Sequence, residues 1–335
     1  MNTASPSPAA TSPLPVCVLG LGLIGGSLVR DLREADRPVF GWNRSRSTVD
    51  AAAADGVDVS TDLVATLRRA AEQDALIVLG VPVPALPSLL DAVAEHAPDC
   101  GLTDVVSVKG DVLSLVTDHG LAARYVGGHP MAGTADSGWD ATMCGLFRDA
   151  VWVVTHDNAR DDPAWVSTWR QVVEMAEATG AVVVPARTAA HDSAVARISH
   201  LPHVVAEALS ITADQGGALA LSLAATSFRD GTRVAGTAPR LVQAMCENNR
   251  DALVTALNET LDLLTSARDA LADPDGDLGQ MTRDGHDARL RYEARAGRTR
   301  EAPSNRPFIQ VQPGAPGWVD QLHYAETVGA QIGVF

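Results

Sequence analysis

Residues 16–26 read VCVLGLGLIGG, and this stretch decides the fold. A short apolar run, Val16-Cys17-Val18-Leu19, meets Gly20-x-Gly22-x-x-Gly25 and then a segment with Ile24, Leu28 and Leu32 at i, i+4 and i+8. Four apolar residues ahead of a glycine turn predict a buried strand, and the i, i+4 spacing predicts one face of a helix. In a strand–turn–helix of this kind Gly20 makes the tight turn. Gly22 lets the backbone approach a pyrophosphate, and Gly25 lets helix and strand pack closely. The helix N-terminus adds free N–H groups and a partial positive charge. Gly20, Leu21, Gly22, Leu23, Ile24 and Gly25 are therefore the expected phosphate-binding turn of a dinucleotide site. The alternative is a purely structural turn; a position after a strand and before a helix favours the nucleotide.

Working outward, Pro38 to Asn43 (PVFGWN) reads as a second strand. In NAD-binding units an acidic residue near the end of this strand accepts the ribose hydroxyls. Here the strand runs into Asn43-Arg44-Ser45-Arg46. There is no carboxylate to repel a 2′-phosphate, and two guanidiniums and a hydroxyl are present to bind one. Asn43, Arg44 and Ser45 are expected at the cofactor, with NADP preferred over NAD; the alternative is that Arg44 and Arg46 are solvated surface charges. Val57–Ser60 and the wholly apolar Ala75–Pro82 continue the strand series, and Val81 and Pro82 stand at the carboxyl edge where ligands bind in parallel sheets. Asp104–Lys109 (DVVSVK), Tyr125–Gly128, Ala150–Thr155 and Ala181–Pro185 read as further strands between helical stretches. This alternation predicts a doubly wound parallel sheet over residues 15–187.

From Thr188 the strand signals stop. His191–Thr212 reads as a helix interrupted by Pro202, and Pro239–Leu271 as one long helix with a leucine repeat. Apolar residues on more than one face of that helix fit either a subunit interface or a core helix; a homodimer is the expectation. Residues 188–271 make this helical domain. Residues 272–335 are expected to be a linker, rich in Asp, Gly, Arg and Pro to about 305, followed by a small β appendage.

At 335 residues the chain has room for two domains. Its net charge of −15 argues against a nucleic-acid partner and requires a local cluster of cations for any anionic substrate. No apolar run reaches the roughly 18 residues of a membrane span. Residues 1–14, Ser/Pro/Ala/Thr-rich without a basic segment, read as a disordered leader. Cys17, Cys100, Cys144 and Cys246 are scattered without a ligand pattern, as free thiols in a reducing cytoplasm would be.

Four groups stand out chemically. Ser107-x-Lys109-Gly110 and Gly128-His129-Pro130 each follow a strand end; the bland readings are a capped strand end and a structural histidine. Lys109 is the chain's single lysine. Ser199-His200-Leu201-Pro202-His203 puts two imidazoles at i, i+3, but with no convincing third ligand no metal is expected. Phe228-Arg229-Asp230-Gly231-Thr232-Arg233 offers two guanidiniums, as an anion site or a salt-bridged loop.

Taken in order, GLGLIGGSL at 20–28, SVKG at 107–110, GGHPMAGTADSG at 127–138, HDxxxAxxSHLPH at 191–203 and FRDGTR at 228–233 resemble the prephenate/arogenate dehydrogenase family of tyrosine biosynthesis. The resemblance covers roughly residues 16–270. It implies an α/β Rossmann-like N-terminal domain plus an all-α C-terminal dimerisation domain. It also implies NAD(P)-dependent oxidative decarboxylation of prephenate or arogenate. By resemblance His129 is the catalytic acceptor for the substrate hydroxyl and Ser107 aligns it. Arg233 binds a substrate carboxylate and His203 positions the substrate, with its neighbour His200 a third substrate-binding candidate whose exact role the resemblance leaves open. Two alternatives stand against this. A β-hydroxyacid-type dehydrogenase would need a catalytic lysine in the second domain, where this chain has none. A non-catalytic NADP-sensing protein would leave His129, His203 and Arg233 without a purpose.

Overall fold

The computed structural model describes residues 13–134, 136–296 and 305–334. The expected leader therefore lies almost wholly outside the described residues. The chain forms two compact units. One comprises residues up to Val106, Leu115–Trp152 and Arg160–Val182; the other comprises Ser107–Ser114, Val153–Ala159 and everything from Val183 onward.

In chain order the elements begin β1 (Val16–Leu19), α1 (Leu23–Glu34), β2 (Val39–Trp42), α2 (Arg46–Ala54), β3 (Val59–Ser60), α3 (Leu63–Glu72), β4 (Leu76–Leu79) and α4 (Leu86–His96). They continue with β5 (Leu102–Asp104), α5 (Gly110–Asp118), β6 (Tyr125–Val126), β7 (Gly128–Pro130), β8 (Val151–Thr155), α6 (Pro163–Ala178) and β9 (Val182–Ala186). β1 to β6 form one sheet in the order β3-β2-β1-β4-β5-β6, every pair parallel. That is the expected doubly wound arrangement, with its switch point between β1 and β4. β1 and β4 are completely buried, which explains their unbroken apolar sequences. α6 starts as its sequence predicts: Asp162 accepts the Ala164 N–H at 2.9 Å ahead of Pro163. It buries Trp165 and Trp169, and the Trp165 indole donates to the Tyr125 carbonyl at 3.1 Å.

Two expectations for this region change. β7, β8 and β9 leave the main sheet and form a second one in that order. The strand expected over Asp104–Lys109 ends at Asp104. The buried Asp104 carboxylate accepts the Val106 N–H at 2.8 Å, the Tyr125 hydroxyl at 2.5 Å and the Gly128 N–H at 3.4 Å. A carboxylate that binds the amide two residues ahead turns the chain out of the ladder.

The second unit is mainly helical: α7 (Thr188–Val195), a π-helical turn (Ala196–His200), α8 (Leu201–Gln215), α9 (Gly217–Ser222), α10 (Thr226–Thr232), α11 (Pro239–Glu247) and α12 (Arg250–Ala272). Pro202 does not interrupt the helix. Its missing N–H falls just after the wide π turn, so the axis runs on. The single long helix expected over Pro239–Leu271 is two helices, broken at Asn248-Asn249.

The stretch expected to be a linker contains α13 (Gly279–Ala296). Side-chain pairs at i, i+4 support it, Gln280 with Asp284 at 2.9 Å and Arg289 with Glu293 at 2.8 Å. The appendage is a parallel β-α-β unit, β10 (Phe308–Val311), α14 (Trp318–Val328) and β11 (Gln331–Val334), packed around Val311, Trp318, Leu322 and Ile332. Glu326 of α14 anchors it. Its carboxylate accepts the Arg187 N–H at 2.6 Å, pairs with the Arg187 guanidinium at 2.6 Å and lies 3.1 Å from the buried His156 ring.

Candidate active site

In the first unit a cleft of about 620 Å³ opens at the carboxyl edge of β1, β2 and β4. Gly20, Gly22, Asn43, Arg44, Val81 and Pro82, all expected from the sequence, line it together. The glycines divide their work as the motif requires. Gly20 has φ +109°, and a Cβ there would stand 2.5 Å from the Gly80 carbonyl oxygen. A Cβ on Gly25 would collide with the Gly20 carbonyl. Around Gly22 nothing lies within 4 Å of the Cβ position. Two glycines are thus demanded by the protein's own packing, whereas Gly22 keeps open space at the N-terminus of α1. That opening is what a pyrophosphate needs, so the turn fits a dinucleotide.

The remaining residues of the turn act through the backbone. Leu21 buries its side chain and gives its N–H to Asn43 Oδ1 at 3.1 Å; Leu23 and Ile24 open α1. Asn43 spends its oxygen on the turn, and the polar group left to it is an NH₂ donor. Ser45 caps α2 through Thr48 N at 3.3 Å. Arg46 is engaged with Asp50 at 2.9 Å. Arg44 is exposed and forms no ion pair among the described residues.

His129 is the central residue of β7 and half-buried. Its position is set by Asp104, which sequence reasoning missed. Besides holding the Gly128 N–H, Asp104 brings its own carbonyl to where a Gly128 Cβ would stand, at 2.6 Å. Glycine before the histidine is therefore a steric requirement.

The second unit holds the other candidates. Ser107 is half-buried, and Lys109 is fully buried. Asp192 of α7 anchors this loop: its carboxylate accepts the N–H groups of Lys109 at 2.9 Å and Gly110 at 2.7 Å, and meets His191 Nδ1 at 2.7 Å. Burial opposes ionisation of Asp192, but these hydrogen bonds outweigh it and hold its pKa below the usual carboxylate value. His200, on the π turn, is buried, and that burial pushes its pKa down to about 4. His203 follows on α8 with a buried Nδ1 that has no hydrogen-bond partner among the described residues. Arg233 begins a short 3-10 segment (Arg233–Gly236) that packs on α8, and it is exposed. Among the described residues one group of three potential ligands is close enough to share an ion, Asp31, Glu34 and Cys144; neither His200 nor His203 belongs to it. No helix among the described residues is long and apolar enough to cross a membrane.

A parallel sheet with a glycine turn at its switch point, followed in the chain by a mainly helical unit, is the architecture of a two-domain dinucleotide-dependent dehydrogenase. Residues 28–184 match the prephenate dehydrogenase nucleotide-binding domain, and residues 187–283 match the prephenate dehydrogenase dimerization domain. A cyclohexadienyl dehydrogenase of Zymomonas mobilis is 31% identical over 78% of this chain and 90% of its own length. A crystal structure from Corynebacterium glutamicum, of a protein assigned as a prephenate dehydrogenase, shares 55% identity and a TM-score of 0.91 over 97% of this chain and 100% of that one. The arogenate dehydrogenase of Synechocystis superposes with a TM-score of 0.71 at 31% identity, over 83% of this chain and 100% of that one. The chain belongs to the prephenate dehydrogenase family.

Proposed function

We propose that the chain catalyses the oxidative decarboxylation of prephenate, arogenate or both, passing a hydride to a nicotinamide dinucleotide. The observation that carries this reading is that the two family domains match consecutively, with Ser107 and His129 inside the first match and His200, His203 and Arg233 inside the second. The names of the relatives support it: one is called a cyclohexadienyl dehydrogenase, one a prephenate dehydrogenase and one an arogenate dehydrogenase.

The substrate ring carries a hydroxyl on C4 and a carboxylate on C1. The bound nicotinamide supplies the hydride acceptor. His129, as a neutral imidazole, accepts the hydrogen bond of the C4 hydroxyl as that oxygen becomes a carbonyl. Ser107 aligns the hydroxyl with the imidazole. The C1–CO₂ bond then breaks, its electron pair makes the ring aromatic, and the proton returns to the C4 oxygen as the phenol forms. No net proton is released. Arg233 grips a substrate carboxylate through two parallel N–H donors, and His203 and its neighbour His200 position the substrate.

For the cofactor we propose a preference for NADP. Asn43 stands where a repelling carboxylate would otherwise lie, and Arg44 reaches the cleft uncommitted to an ion pair. We also propose a homodimer. The name of the matching domain supports it, as do the exposed Leu209, Ile211, Leu219, Leu261 and Leu264 of α8, α9 and α12.

A steady-state assay of prephenate and arogenate, each with NAD⁺ and NADP⁺, tests the reading. Turnover of at least one substrate is expected, with the lower KM for NADP⁺. Absence of turnover in all four combinations would overturn it.

A further inference from the structure

We infer that Asn249 is a positioning residue that fixes His200 as an imidazole with its proton on Nε2, so that His200 offers the substrate a hydrogen-bond donor. The substrate half of this inference rests on the proposed function.

Asn249 precedes α12, in the N-cap position. Asparagine there ordinarily turns its side-chain oxygen onto the first free N–H groups of its own helix. Asn249 makes no such cap. Its side chain is buried and turned the other way, with Nδ2 2.8 Å from the Asp192 carbonyl oxygen and 3.2 Å from His200 Nδ1.

The Asp192 carbonyl settles the chemistry of this contact. A carbonyl oxygen only accepts, so the Asn249 atom beside it is the NH₂ group. The same NH₂ group therefore donates to His200 Nδ1, which must present its lone pair. The single proton of a neutral imidazole then resides on Nε2.

The groups around His200 leave this assignment uncontested. Asp192, His191 and His203 are the titratable groups that act on it. The Asp192 carboxylate is committed to Lys109, Gly110 and the His191 ring. Burial keeps the His200 ring uncharged, against the pull of Asp192. Asn249 thus ties together the break between α11 and α12, the Asp192 that anchors the 107–110 loop, and the His200 tautomer.

The test is a two-bond ¹H–¹⁵N correlation spectrum of the full chain labelled at histidine nitrogen, with His200 assigned by loss of its signals in His200→Gln. In the unsubstituted protein the proton should be on Nε2, and His200 should not titrate between pH 6 and 8. Asn249→Ala should bring in the second tautomer and raise the substrate KM severalfold, up to about tenfold for one lost hydrogen bond, with kcat changed less. Asn249→Asp nearly conserves shape and keeps the test available if the alanine variant folds poorly. Its carboxylate should draw a proton onto Nδ1, move the His200 titration up by more than one pH unit and make KM depend on pH in that range. A proton on Nδ1 in the unsubstituted protein, or an unchanged tautomer in both variants, overturns the inference. A changed tautomer with unchanged KM for both substrates removes His200 from the substrate site. That outcome overturns the functional half while leaving turnover by the enzyme intact.

Discussion

The Asp192 carboxylate accepts the backbone N–H of Gly110 at 2.7 Å across 82 residues of sequence. Gly110 is the first residue of α5, so a carboxylate stands at the positive end of that helix and closes the loop that carries Ser107. This contact makes stability depend on pH with a definite sign. The folded pKa of Asp192 lies below its ordinary 3.8, so the stabilisation is present above that value and fades as pH falls through the lower, folded one. Asp192→Asn puts an amide where only an acceptor fits and should cost about 1–3 kcal/mol at pH 7. Urea unfolding of both proteins at pH 7 and pH 3 checks this. The difference between them should shrink in acid, and a constant difference would exclude the charge as its source.

The glycine turn separates folding from cofactor binding. Gly25→Ala places a methyl against the Gly20 carbonyl and should lower the melting temperature markedly. Gly22→Ala meets no protein atom within 4 Å. It should melt normally but raise the cofactor KM, because the added methyl occupies space reserved for the pyrophosphate. Thermal melts beside cofactor titrations distinguish the two, and a destabilised Gly22→Ala would show that the gap serves the fold.

Arg44→Ala should weaken NADP⁺ binding roughly tenfold or more and NAD⁺ hardly at all, as expected for one charge-assisted contact to a 2′-phosphate. Equal losses for the two cofactors would mean that Arg44 does not read the phosphate.

His129 and Arg233 should fail in opposite kinetic parameters. His129→Asn should reduce kcat by about 10²–10⁴ with substrate binding largely intact. Arg233→Ala should chiefly raise KM, and Arg233→Lys should recover it only in part, since an ammonium cannot form the two-pronged contact. Near-normal kcat in the first variant, or normal KM in the second, would remove that residue from its role.

Where local pattern and final environment agree, the chain was legible. Val16–Leu19 and Leu76–Leu79 are apolar throughout because both faces of the sheet are covered, and Gly20 and Gly25 are glycine because a Cβ has nowhere to go. α13 is illegible in the sequence because it is polar on nearly every face: its i, i+4 pairs support a helix yet leave no hydrophobic period to read. The leucine repeat of Pro239–Leu271 runs on across a real break, because apolar spacing does not register a buried carboxamide that bonds to partners 49 and 57 residues away.

The sequence by itself determined the parallel sheet, the glycine turn, the succession of strand-rich and helical regions and the family motifs. All of these rest on short-range spacing of apolar residues, glycines and histidines. Only the tertiary structure decided where Asp104 ends its strand, that Asp192 holds the Ser107 loop, and that Asn249 faces His200. Each of these is a buried or half-buried polar side chain satisfied by groups remote in sequence or across a turn. Burial makes such partners obligatory, yet which partner is chosen depends on how the elements pack.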